Sequence, residues 1–166
     1  MAAVSTYTPI QSVTLTTTTA TVTLNSIPST YTDLIIVYSG TTNSTNKDVR
    51  LNVNNDTASN YSWTALAGQG TAVGSYRLPN ASNFAGYQLV GTVSNPATII
   101  YNFQNYANTS VYKSTLYRVS DAGAEVEAYA GLWRSTSAIN RVDFTSSSGA
   151  SFVSGTTITL YGIAAA

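Results

Sequence analysis

No histidine and no cysteine occur among the 166 residues of this chain, and charged side chains make up only 8% of it. Together these absences remove most catalytic chemistry. There is no Ser-His-Asp or Cys-His nucleophile pair, no imidazole acid or base at neutral pH, and no zinc site of the usual ligand set. A disulfide-framed mini-domain is also excluded, although the redox compartment stays open. Seven Lys plus Arg balance seven Asp plus Glu to a formal net charge of +0. No basic stripe is available to track phosphates, so nucleic acid is not an expected partner. Low net charge leaves little repulsion between copies and favours self-association. Long apolar runs are missing too: the strongest, LIIVY at residues 34–38, is far shorter than the roughly 20 residues of a membrane-spanning helix. The N-terminus, MAAVSTYTPI, has neither a cationic region nor a long apolar stretch. It does not read as a signal peptide, and a soluble chain with no membrane partner is expected.

What the chain has in abundance is serine and threonine, 21 and 26 positions, set in alternating apolar sequence. Its length fits one domain over residues 1–166, burying roughly 70% of its unfolded surface around one core. Period two dominates and no amphipathic helix is evident, so the chain reads as all-β. Val13 and Leu15 mark one strand and Ala20, Val22 and Leu24 the next, with the threonines at 16–19 expected in a hairpin between them. Residues 34–38 are apolar throughout, as for a strand covered on both sides or one buried centrally in a sandwich. Further strands are expected at 49–53, 61–66, 73–78, 87–93, 98–103, 111–119, 126–133, 139–145 and 156–163, with a surface loop over 79–86. About ten short strands without a helix favour an antiparallel β-sandwich of jelly-roll type. Residues 1–7 form a candidate N-terminal arm that could add to a neighbour's sheet edge.

Four groups of residues invite a chemical reading. Glu125 and Glu127 share a strand face and could stand as an acid pair, but the favoured reading is an exposed face paired with Lys113, Arg118 or Arg134. Asn52, Asn54, Asn55 and Asp56 gather oxygen ligands suited to calcium, yet they match no EF-hand spacing and are ordinary turn residues. Five Asn-X-Ser/Thr sites agree with the roughly four that chance supplies in so Asn- and Ser/Thr-rich a chain. Asn102, Asn105, Tyr106, Asn108 and Tyr112 form a polar-aromatic patch of the kind that stacks sugars or anchors interfaces. No catalytic, metal or cofactor-binding residue is assigned, and no cofactor is expected.

Four stretches carry a resemblance: IPSTYTDLIIVYSG, LNVNNDTASNYSWTALAGQGTAV, IIYNFQNYANTSVYKSTLYRV and GLWRSTSAINRVDFTSSSGASFVSGTTITLYGI. In this order they resemble small structural proteins and fibre domains of tailed-bacteriophage virions. The recurring pieces stand here at residues 27–34, 55–61, 106–113, 131–133 and 160–163. The resemblance implies a virion structural protein without enzymatic activity, assembled in the host cytoplasm. Neither heptads nor solenoid repeats of a fibre shaft are present. A capsid decoration or cement protein is therefore expected, a homo-oligomer with trimeric symmetry bound to the major capsid protein or other virion proteins. The alternative is a receptor- or carbohydrate-binding module of a tail or head fibre. Candidate interface or glycan contacts are Tyr7, Tyr106, Asn108, Tyr112, Trp133 and Arg134. Within 126–134, Val126, Ala128, Ala130 and Leu132 are expected to fill the core, with Trp133 projecting outward beside the glutamates.

Overall fold

A computed structural model describes residues 6–45, 47–85, 96–121 and 125–164. The expected strand at 87–93 lies outside the described residues, as do residues 1–5 of the expected arm. Twelve strands are present among the described residues: β1 (Tyr7–Thr14), β2 (Thr21–Leu24), β3 (Asp33–Gly40), β4 (Val49–Val53), β5 (Tyr61–Gln69), β6 (Ala72–Ala81), β7 (Phe84–Ala85), β8 (Ala97–Phe103), β9 (Lys113–Asp121), β10 (Val126–Trp133), β11 (Val142–Ser146) and β12 (Thr157–Ile163). They form a large sheet of order β1-β12-β3-β8-β9-β10-β5-β6 and a small one of order β2-β11-β4-β7, with every pairing antiparallel. The two pack as a β-sandwich, with four strands more than the eight of a simple jelly roll.

The core between the sheets is aromatic. Tyr101, Tyr117 and Tyr129 stand in register on β8, β9 and β10. Tyr117 and Tyr129 stack with centroids 4.3 Å apart and planes 6° apart, and Tyr101 stacks on Tyr117 at 4.9 Å. From the small sheet, Phe144 meets Tyr38 and Tyr101, while Phe84 meets Tyr61, Phe103 and Tyr117. Burying these rings, roughly 150–250 Å² each, is the main source of cohesion between the layers.

Several expectations are corrected here. The threonines at 16–19 are not in a hairpin, because β1 pairs with β12 and β2 with β11 in the other sheet. They form an ordered crossover, held where Thr19 and Phe152 exchange two 2.9 Å backbone hydrogen bonds. The expected loop over 79–86 instead continues β6 and adds β7, whose Phe84 is completely buried. Tyr7 lies in β1 opposite Ile163 rather than in an arm. Of the two readings of 34–38, the structure fits the strand buried centrally in a sandwich: β3 lies between β12 and β8, with Leu34, Ile36 and Tyr38 buried and Ile35 and Val37 half-buried on the other face.

Candidate functional site

The site begins with a reversal on β10. Glu127, Tyr129 and Trp133 are 4%, 3% and 2% exposed, while Val126 is 60% exposed. Ala128 and Ala130 are exposed with Val126, and Leu132 is half-buried. The expected faces are therefore exchanged: Trp133 belongs to the core and the small aliphatic residues point out. Area decides the choice, because a tyrosine and a tryptophan remove far more apolar surface from water than two alanines and a valine. Gly131 completes the inward face, since a Cβ there would stand 2.7 Å from Phe84 Cε1.

The acids follow the aromatics inward. Tyr129 Oη donates to Glu127 Oε2. Glu125 has its carboxyl pushed up by burial and by nearby Asp121. Neither glutamate forms the expected surface pairs. Lys113 is itself fully buried, donating through Nζ to the carbonyls of Val111 (2.8 Å) and Thr136 (3.1 Å). Burial lowers its pKa. Arg134 donates to Pro79 O (2.8 Å), Asn80 Oδ1 (3.1 Å) and Ser59 O, tying β6 to the turn before β5. Arg118 alternates outward on β9.

The segments that carry the resemblance meet one another through structural contacts at one end of the sandwich. Tyr106 Oη donates to Pro28 O and accepts from Tyr31 N at 3.4 Å. The Tyr31 ring lies over Gly162, leaving no room for a Cβ. Asp33 Oδ1 accepts from Asn105 N at 2.8 Å. Asp56 accepts from Ala58 N (2.9 Å), Asn60 Nδ2 (2.9 Å) and Trp133 Nε1 (2.7 Å). Burial raises the Asp56 pKa, but these three donors outweigh it and hold the carboxyl below its ordinary value. Tyr61 Oη donates to Asp56 O at 2.8 Å, and burial pushes that phenol up to about 12.

The same contacts explain the Asn52 to Asp56 cluster. Asn54 and Asn55 adopt left-handed conformations at φ 52° and 59°. Asn54 Oδ1 accepts from Asn140 N and Arg141 N, and Asn52 Nδ2 reaches Asp56 O and Ser82 O. These polar groups serve a turn, and among the described residues no group of three or more His, Cys, Asp or Glu could hold a metal ion. No helix among them is long and apolar enough to cross a membrane.

Of the six candidate contacts, Tyr106 and Trp133 are buried and cannot meet a partner, and Arg134 is engaged in holding β6. Tyr7 and Tyr112 are 54% and 53% exposed, and Asn108 is exposed with its Oδ1 accepting from Ser110 N at 2.7 Å. All three sit at the same end of the large sheet, with Tyr7 on the far edge strand. The sugar-stacking patch thus keeps Tyr112 but loses Tyr106.

Sequence reasoning missed the surface that the β10 reversal creates. On the outer face of β5, β6, β9 and β10, Leu66, Leu116, Val126 and Val73 are 66%, 54%, 60% and 91% exposed. Leu66, Gly68, Val73, Arg118, Val126 and Ala128 line an open groove of about 580 Å³. Arg77 and Arg118 are the charges among the outward residues of these four strands, which present no carboxylate. The apolar character continues through Ile100 on β8 into Ile35 and Val37 on β3. Comparison with family models and with curated proteins finds no match to this chain.

Proposed function

We propose that this chain is a bacteriophage virion structural protein, a decoration or cement protein that binds the outer shell of the capsid as a homo-oligomer. The observation that carries the reading is the outer face of β5, β6, β9 and β10, where exposed Leu66, Leu116 and Val126 surround Arg118 and the one acid lining the groove, Glu127, is buried on the opposite face. An exposed face of aliphatic and hydroxyl side chains whose charges are both arginines suits a protein surface that offers carbonyls and carboxylates to them. Its function there is mechanical: apolar area buried between this face and the shell resists separation of neighbouring shell subunits. The polar inventory agrees, because the buried and clustered polar groups described above serve turns and strand ends. The resemblance to phage structural proteins supplies the virion context, and the residues carrying it hold the fold together.

The test is an image of intact virions labelled with an antibody to this protein. Label distributed over the heads supports decoration. Label confined to fibres, or virions without the protein, overturns it.

A further inference from the structure

The row of Tyr101, Tyr117 and Tyr129 continues to an indole. Trp63 on β5 meets the Tyr129 ring edge-on, with centroids 5.5 Å apart. From Trp63 the rings run through Tyr129 and Tyr117 to Tyr101 at separations of 5.5, 4.3 and 4.9 Å, so every step is an ordinary ring contact. Trp63 is the member nearest solvent. It is 9% exposed, in a cleft of about 240 Å³ that Arg50, Ser82 and Asn83 also line, whereas the three tyrosines are more deeply buried. The polar atoms of the row differ in what they donate to. Tyr129 Oη donates to the carboxylate Oε2 of Glu127. Tyr117 Oη donates to the carbonyl of Ala85 at 3.1 Å, and no group among the described residues accepts from Tyr101 Oη or Trp63 Nε1. A carboxylate can take a proton outright, and a peptide carbonyl cannot.

We propose that Trp63, Tyr129 and Glu127 form a one-electron relay, in which oxidation of the indole passes inward and comes to rest on Tyr129. A diffusible one-electron oxidant, a small inorganic radical, takes an electron from Trp63 and is itself reduced, leaving an indole radical cation. Tyr129 then gives an electron to Trp63 while its phenolic proton passes along the existing hydrogen bond to Glu127. The indole is restored. What remains is a neutral phenoxyl radical beside a neutral carboxylic acid, so the cation on Trp63 and the anion on Glu127 are discharged together. Proton position decides where the radical stops. A phenol that loses an electron and keeps its proton becomes a cation in a low-dielectric core, which burial strongly disfavours. The Tyr117 and Tyr101 hydroxyls do not donate to a carboxylate, so the stacked row beyond Tyr129 is no route for the charge. A one-electron reductant later returns the electron to Tyr129, and Glu127 returns the proton. Oxidising equivalents that strike the indole are thereby held at a residue from which they can be recovered.

Pulse radiolysis of the purified protein with azidyl radical, which oxidises indoles and is reduced to azide, tests this by following indole-radical absorbance as it gives way to phenoxyl absorbance. Wild type should show a fast first-order conversion whose rate does not change with protein concentration. Glu127→Gln keeps an acceptor for the Tyr129 hydroxyl but cannot take its proton, and should slow that conversion about a hundredfold, as loss of a positioned base does. A purely structural Glu127 would leave the rate unchanged in that variant. Trp63→Phe should remove the fast conversion, whereas Tyr117→Phe should retain it. Electron paramagnetic resonance of freeze-quenched samples should show one phenoxyl species in wild type and its loss in Tyr129→Phe, with circular dichroism checking the fold of each variant. An undiminished rate in Glu127→Gln, an undiminished phenoxyl yield in Tyr129→Phe, a fast conversion that persists in Trp63→Phe, or its loss in Tyr117→Phe overturns the inference.

Discussion

The indole Nε1 of Trp133 donates a 2.7 Å hydrogen bond to Asp56 Oδ2. The bond joins the end of β10 to the turn that follows β4, and the indole also stacks near Tyr61, with centroids 6.5 Å apart. Trp133→Ala leaves a core cavity and costs about 3–5 kcal/mol. Asp56→Ala leaves the indole, Asn60 and Ala58 donors without their acceptor and costs about 1–3 kcal/mol. Urea unfolding followed by circular dichroism reads both. A Trp133→Ala variant of unchanged stability would return that side chain to the surface.

The same carboxylate contributes to the acid limb of stability. The Asp56 pKa is depressed in the folded state relative to 3.8. Its stabilising contribution is therefore present above that ordinary value and is lost as pH falls through the lower folded value. Asp56→Asn should flatten the decline of melting temperature below about pH 4, seen as a smaller difference from wild type in strong acid than at neutrality. An identical pH profile in the two proteins would contradict this role.

Glu125 acts with the opposite sign. Burial and then Asp121 raise its folded pKa above 4.5, so its protonated form is favoured in the fold. The corresponding stability is present below the ordinary value and is lost as pH rises through the folded one. Glu125→Gln should accordingly raise the melting temperature at pH 7 and change it little below pH 4. A drop at pH 7 would show that the ionised carboxylate is favourably held.

How much of this was legible beforehand is clearest on β10. Alternation located residues 126–133 as a strand and correctly put Glu127, Tyr129 and Trp133 on one face. Which face is buried was not legible from the segment alone. Val126, Ala128, Ala130 and Leu132 form the more uniformly hydrophobic set, yet Tyr129 is drawn inward by Tyr117 and Tyr101 on the neighbouring strands. The three tyrosines lie on consecutive antiparallel strands, and recognising that they share a row would have revealed the ladder. Phe84 was hidden by breakers, as Pro79, Asn80, Ser82 and Asn83 made its neighbourhood read as a loop. The threonines at 16–19 suited either a hairpin or a crossover, because strand propensity does not name a partner. The exposed apolar side chains of β10 went unseen for the same reason as the ladder: they depend on which parity of β10 points out.

Calcium should have no hold on the Asn52 to Asp56 turn. A cation of that size wants six to eight oxygens, whereas Asn54 Oδ1 already accepts two backbone N–H groups and the Asp56 carboxylate accepts three donors. The melting temperature should be the same in EDTA and in millimolar calcium. A rise with calcium would mean that the turn reopens to bind it.

The outer face separates folding from attachment. Leu116 is 54% exposed and stands beside Ala130, one row from the Arg118–Ala128–Leu66 line across β9, β10 and β5. Because Leu116 is more than half exposed in the single chain, Leu116→Asp removes little buried area and should change folding stability by no more than about 0.5 kcal/mol. On a shell surface the same change buries an unpaired carboxylate in the middle of an apolar contact, a cost large enough to abolish binding. Copies of the variant should therefore fold normally yet fail to co-sediment with capsids that lack the native protein. Leu66→Asp should behave alike. Tyr112→Ala, at the end of the large sheet away from this groove, should leave capsid binding intact. Retained binding by both aspartate variants, together with loss in Tyr112→Ala, would move the contact to the loop between β8 and β9 and favour the receptor-binding alternative.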